Sequence, residues 1–393
     1  MRGRMYKTIY CALGVLIILT LPINGLAQPK PVVKEWRIPT LIFLSGPFAG
    51  HGVAIKWVIE EVAAEINASG GIAGKPIVND FMDSAMDPTK AAACMSRAID
   101  GGALCVIGPP TELECKGSLP LAKQEGIFAF SAMGTETTTP EFAPWTIYVG
   151  RGTADRVKAT IPMWVGVEPD IKMVAGFVFT VFDAWIREWQ GHEKTAAGLG
   201  IKSGGKIDVS PGMVDYGPLV VKALNTGANA FILITTEEIN AKLVKELVNR
   251  GSAPSHIWIQ SGGMGTSFMS QTKGINEGIY SNESLTYEYT SRWAKLNSSY
   301  AKSHGGLPLV GTAYAFADMM YMIKAAIEHE AITGDPAKLK EERKRISDYA
   351  FNQKGFKGVK FTYDVVNGVA RGVPVPLFQI RENKGALVSE RVP

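Results

Sequence analysis

Residues able to do chemistry in this 393-residue chain lie in the turns that follow apolar runs, and no compact catalytic motif accompanies them. The five histidines are scattered, with no metal cluster and no catalytic dyad. Gly70-Gly-Ile-Ala-Gly-Lys75 lacks the spacing and the Ser/Thr of a phosphate loop, no G-x-G-x-x-G follows a strand, and neither G-x-S-x-G nor H-E-x-x-H occurs. Triads can be assembled from distant residues, so this weakens an enzyme reading without removing it. What the turns offer is recognition. In Ile42-Phe-Leu-Ser45-Gly46-Pro47-Phe48-Ala49-Gly50-His51-Gly52 an apolar strand runs into a glycine-rich turn and a helix. Glycines let backbone N–H groups approach a ligand, and the first helical turn carries positive dipole character. A tight strand-to-helix connection uses the same residues without any ligand.

The elements that position these turns alternate. Leu41–Leu44 is apolar, and Val58, Val62 and Ile66 then recur among Glu60, Glu61 and Glu65 at helical spacing. Pro76–Met82 reads as a strand, Asp87-Pro88 opens a helix, Leu104-Cys-Val-Ile is a buried strand, and Gly126-Ile-Phe-Ala-Phe-Ser131 is another. A second series starts near Arg151, with strands at Lys172–Thr180, Asn229–Ile234 and His256–Gln260, each leading into a turn and a helix. The rhythm predicts an α/β protein of two Rossmann-like lobes with parallel-rich sheets. The methionines and aromatics of Thr312–His329 read as core.

Arg2, Arg4 and Lys7, the apolar run Ala12–Leu21 and Gly25-Leu26-Ala27 form the pattern of a cleaved signal peptide, so residues 1–27 are expected to be removed on export to the periplasm. Cys11 precedes the apolar run, contrary to a lipoprotein, and no later segment is apolar enough to span a bilayer. With 41 basic and 37 acidic residues, charge gives no case for nucleic acid. Cys94, Cys105 and Cys115 remain after export; one disulfide is permitted there, and buried thiols are the alternative.

Leu44-Ser-Gly-Pro-Phe-Ala-Gly50, Glu65-Ile-Asn-Ala-Ser-Gly-Gly-Ile-Ala-Gly74, Asp87-Pro-Thr-Lys-Ala-Ala, Val106-Ile-Gly-Pro109 and Gly126-Ile-Phe together resemble the type I periplasmic solute-binding proteins, in the branched-chain amino acid and amide group that feeds ABC transporters. Asp215-Tyr216 and Gly311-Thr-Ala-Tyr are similar to later family motifs. The resemblance implies two lobes joined by three crossovers near 148–153, 280–283 and 356–361, with residues 34–149 and 282–356 in lobe 1 and 150–281 and 357–393 in lobe 2. It further implies hinge closure on a small molecule, no catalysis, no cofactor or metal, and a monomer that meets a membrane permease. A ligand-sensing receptor module and an exported two-lobe hydrolase or transferase remain as alternatives.

Carried over from the family, the ligand positions fall on Ser45, Phe48 and His51 in the first turn, Thr111 and Glu112 in the second, and Ser131, Gly134 and Thr135 in the third. Phe182, Thr236, Glu237, Gly262 and Met264 follow from lobe 2. The resemblance implies that hydroxyls and N–H groups of the lobe 1 turns hold a carboxylate. Amino acid binders commonly place an acid at the Gly262 position to pair with an ammonium, and glycine cannot do so. Glu237 or Glu112 could replace it, or the ligand is an apolar or aromatic acid without an ammonium. Each position also has a plain structural use: Glu112 in a first helical turn, His51 as a cap, Phe182 and Met264 as core.

Overall fold

The computed structural model describes residues 30–46, 48–132, 139–260 and 264–392. The expected signal peptide, Gly134, Thr135 and Gly262 lie outside them. The first lobe opens with β1 (Trp36–Ile42), α1 (Ala49–Ala68), β2 (Ile77–Asp83), α2 (Pro88–Asp100), β3 (Cys105–Ile107) and α3 (Glu112–Glu125). It continues through β4 (Phe128–Ser131), the short α4 (Thr139–Phe142) and β5 (Thr146–Tyr148). The chain then crosses to α5 (Thr153–Val167), β6 (Met173–Phe179), α6 (Asp183–Gly198), β7 (Lys202–Val209) and α7 (Gly217–Asn225). After these come β8 (Ala230–Ile234), α8 (Glu237–Asn249), β9 (Ile257–Ile259), α9 (Thr266–Gln271) and β10 (Tyr280–Ser281). A return to the first lobe brings α10 (Ser291–Ser303), α11 (Ala313–His329), α12 (Leu339–Phe351), β11 (Phe356–Lys357), β12 (Thr362–Val366) and β13 (Val369–Arg371). β14 (Val375–Arg381) and β15 (Lys384–Arg391) close the second lobe.

Two sheets result, ordered β11-β12-β13-β5-β4-β3-β1-β2 and β15-β14-β10-β9-β8-β6-β7. Their central pairs are parallel, while β11 with β12, β12 with β13, β10 with β14 and β14 with β15 are antiparallel. This is the expected α/β architecture. The chain passes from the first sheet to the second between β5 and β6, and back to the first after β10. The third crossover does not fall where the sequence places it. β12 and β13 stand in the first sheet, with the Tyr148 amide donating to the Gly368 carbonyl at 2.7 Å, so the chain leaves that sheet after Arg371 and not at 356–361. The lobe 2 boundary expected at 357 is corrected accordingly.

Two elements have weak sequence signals. β7 carries two glycines in Lys202-Ser-Gly-Gly-Lys-Ile-Asp-Val and survives as an edge strand on β6. α10 is mostly polar and is fixed by Trp293, Leu296 and Tyr300, which reach the first core at helical spacing. Cys94, Cys105 and Cys115 are all free thiols. Among the described residues no helix is long and apolar enough to cross a membrane.

The turn after β1 is set by contact. A β-carbon on Gly52 would lie 1.7 Å from the Phe43 carbonyl oxygen, so α1 packs this closely only because that residue has no side chain. Gly52→Ala forces helix and strand apart and is expected to cost about 2 kcal/mol or more, read as a lowered thermal midpoint. An unchanged midpoint would mean that α1 can shift freely on the sheet.

Candidate ligand-binding cleft

The carboxyl ends of the parallel strands in both sheets face one another across a cleft, and the crossovers form its floor. Arg151, in the first crossover, donates from one terminal nitrogen to the Asn282 carbonyl at 2.8 Å and from the other to Glu283 Oε2 at 3.4 Å. Glu283 Oε1 accepts from Lys360 Nζ at 3.1 Å and from Tyr289 OH at 3.2 Å. Burial alone would raise the Glu283 carboxyl, but Lys360 and Arg151 outweigh it and hold the group below its ordinary range. Lys360 lies 4.3 Å from the ring centres of Tyr289 and Trp293, and burial pushes its ammonium down to about 8 against the pull of Glu283.

A second pair stands on the lobe 2 side. Arg156 of α5 grips Glu188 of α6 through Nε at 3.1 Å and a terminal nitrogen at 2.7 Å. Gln260, directly after β9, adds an N–H to Glu188 Oε2 at 2.7 Å. Burial opposes ionisation of Glu188, yet Arg156 and His192 bring its carboxyl down to about 2. Arg151, Arg156, Glu188, Gln260 and Glu283 line a cavity of about 200 Å³ between the lobes. An adjoining cavity of about 140 Å³ shares Phe43, Phe48, Ala184 and Trp185 with it and reaches Phe182. Phe48 meets Phe182 edge-on at 6.1 Å across the lobes, and Phe182 lies 4.8 Å from Trp185. The cleft therefore has a charged floor and an aromatic wall.

Of the positions carried over from the resemblance, Phe48 and His51 line the first cavity, and Phe48, Thr111, Glu112 and Phe182 line the second. Burial lowers the His51 imidazole, with Glu238 partly opposing, so the ring is held toward its neutral form. The other described positions line neither cavity. Ser45 is exposed, and its amide donates to Asp83 at 3.3 Å. Ser131 is fully buried and donates its hydroxyl to the Pro109 carbonyl at 2.7 Å. Thr236 sits at the head of α8 outside both cavities. Met264 is core in lobe 2.

Both acids offered as a counter-charge for an ammonium already have partners. Glu237 accepts the Ser267 and Phe268 amides at 2.9 and 3.3 Å, tying α8 to the start of α9. Glu112 accepts from Arg187 of α6 at 2.7 Å, a bond from one lobe to the other. Lys116 and Asp183 make a second such pair at 3.1 Å. Arg151, Arg156, Glu188, Gln260, Glu283 and Thr312 were not singled out by sequence reasoning. Only the position of Arg151 and Glu283 beside expected crossovers could have marked them.

Residues 35–369 match the model of the periplasmic binding protein family, and the chain belongs to that family. Its lobes have the type I periplasmic binding fold. A leucine-binding protein of Thermotoga maritima superposes with a TM-score of 0.76 at 15% identity, covering 91% of this chain and 99% of that one. A solute-binding protein of R. palustris, solved with 4-hydroxybenzoate, gives 0.75 at 15% identity over 91% and 98%. A branched-chain amino acid binding protein of Streptococcus pneumoniae, solved with isoleucine, gives 0.74 at 19% over 92% and 99%. A Leu/Ile/Val-binding protein of Citrobacter freundii is 28% identical over 102 residues, 26% of this chain and 28% of that protein. A Leu/Ile/Val/Thr-binding protein of Salmonella typhimurium is 32% identical over 92 residues, 23% and 25% of the two chains. The matched stretches thus span about a quarter of these curated relatives.

The Glu188 carboxyl, ordinarily at 4.5, titrates at about 2 in the folded protein, so its pairing stabilises the fold fully above pH 4.5 and loses that contribution as pH falls toward 2. Glu188→Gln is expected to flatten the loss of stability across this window in urea unfolding, and to lower stability at pH 7 by leaving Arg156 buried with a weaker partner. A variant with the acid slope of the parent protein would show that Glu188 is not the group responsible.

Proposed function

We propose that the protein captures one small solute outside the cytoplasmic membrane, closes its lobes over it and hands it to the permease of an ABC transporter. The observation that carries this reading is the state of the cavity wall. Arg151 Nε, Gln260 Oε1 and Thr312 Oγ1 are buried polar atoms without a hydrogen-bond partner among the described residues, and all three residues line the same space between the lobes. Buried polar groups are almost always paired, so three orphans around one cavity are groups kept for a guest. The aromatic wall suits an apolar body, and an amino acid or an apolar or aromatic acid fits the two ends. Family membership supports binding without turnover. Leucine, isoleucine and 4-hydroxybenzoate appear with structural neighbours, and each joins a carboxylate to an apolar body.

A thermal-shift panel of amino acids, aromatic acids, aliphatic acids, amides and urea tests the reading, because a solute that binds only the folded state raises the melting temperature. Binding should also reduce the radius of gyration in solution scattering, and turnover of the bound solute would overturn the transport role. The pairs Glu112–Arg187 and Lys116–Asp183 hold only when the lobes are close. Arg187→Ala is expected to weaken solute affinity two- to fivefold, the equivalent of about 0.5–1 kcal/mol for a partly exposed pair, with little change in fold stability. Titration calorimetry on both proteins checks this; equal affinities would mean that the pair does not favour closure.

A further inference from the structure

The orphan atoms differ in kind, and that difference specifies part of the ligand. Arg151 Nε can only donate. Its residue is 7% exposed and its two terminal nitrogens are already committed to Asn282 and Glu283. Thr312 is the N-cap of α11, a 17-residue helix, and makes no side-chain cap bond there. Gly311, Thr312, Tyr314 and Ala315 line the cavity that Arg151 also lines, so the positive end of the α11 dipole borders that space. A β-carbon on Gly311 would sit 2.8 Å from Glu283 Cδ, which is why the helix can begin so near the ion cluster.

Charge points the same way. Arg156 pairs with Glu188, and Glu283 serves both Arg151 and Lys360. Among the described residues around Glu283, two cations on one carboxylate leave a surplus of one positive charge when Lys360 is protonated and Asp318, lifted to about 7 by burial, is neutral. The nearby acid Asp318 is occupied by the Val359 amide and Tyr363 OH behind Lys360, away from the cavity lining. A buried surplus charge is costly until a counter-charge arrives.

We propose that the mouth of α11 is a carboxylate subsite: the ligand's acid group takes the Arg151 Nε–H and the Thr312 hydroxyl, and Gln260 Oε1 accepts an N–H or O–H from elsewhere on the same molecule. The body of the ligand then lies toward Phe48, Phe182 and Trp185. This rests on the solute-binding reading and moves the acid from the turns after β3 and β4 to the hinge floor. It also identifies an amide carbonyl, without a formal charge, as the group that meets an ammonium or hydroxyl.

The test pairs leucine, isoleucine, benzoate, 4-hydroxybenzoate and hexanoate with their neutral amides in titration calorimetry on the full exported chain. The acid that binds best is then measured on Thr312→Val and Arg151→Lys. Expected is at least a tenfold loss of affinity from acid to amide, and a comparable loss in each variant. Thr312→Val keeps the shape and removes a hydroxyl that caps nothing, so it carries the test if Arg151→Lys fails to fold. An amide that binds as well as its acid, or variants within twofold of the parent protein, would overturn the carboxylate subsite while leaving solute binding intact. If no acid or amide bound the parent protein, and the wider panel above raised no melting temperature, the solute-binding reading itself would fall, and the subsite with it.

Discussion

Everything about the hinge depends on one carboxylate. Glu283 belongs to the second crossover and Arg151 to the first, and Lys360 reaches Glu283 from the first lobe, between β11 and β12. Its neighbour Asn282 extends the tie, accepting from Arg151 and Thr160 and donating to the Pro376 carbonyl at the start of β14. The first two crossovers are thereby joined by buried charge, and the chain just past the third is tied to them by the Asn282 amide. Separating such a pair without replacing it leaves an ion in a medium that solvates it poorly, so the crossovers behave as one piece. Any rotation of the lobes has to be taken up at the margins of that piece.

The division of the cleft into a charged floor and an aromatic wall follows from the same arrangement. Charged side chains are tolerated at depth only where several donors and acceptors converge, and convergence occurs where the crossovers meet. Farther out each lobe presents the start of a helix, and there Phe48 and Phe182 supply apolar surface from opposite sides. Asp318, close behind the floor, shows how severe the burial is. Desolvation lifts its carboxyl to about 7 despite hydrogen bonds from Val359 and Tyr363.

The fold was legible because strand, glycine turn and helix repeat in a local pattern, and α1 with its Val58, Val62, Ile66 stripe is read from spacing alone. The sheet to which a strand belongs is not local. β13 is three residues long and resembles any other short apolar segment; its bond to Tyr148 decides its place. The candidate site was read to about the same depth. Phe48, His51, Thr111, Glu112 and Phe182, carried over from the family resemblance, line the two cavities. Which way a hydroxyl or carboxylate points is a tertiary fact, and Ser131 and Glu237 are spent on backbone groups of their own lobes. The most informative residues, Arg151, Gln260 and Thr312, became visible only through partners they lack.

The two ion pairs that join α3 to α6 stand at the rim, where water reaches them. In Arg187–Glu112 the arginine side chain is 39% exposed, and in Lys116–Asp183 the figures are 52% and 62%. Charges so placed are weakened by dissolved ions within a Debye length of about 8 Å at physiological ionic strength, whereas the buried floor is not. If the lobes close over a solute as proposed, the salinity of the surroundings becomes a setting on how long they stay shut: dilute conditions would favour retention of the solute, and brackish ones its early escape.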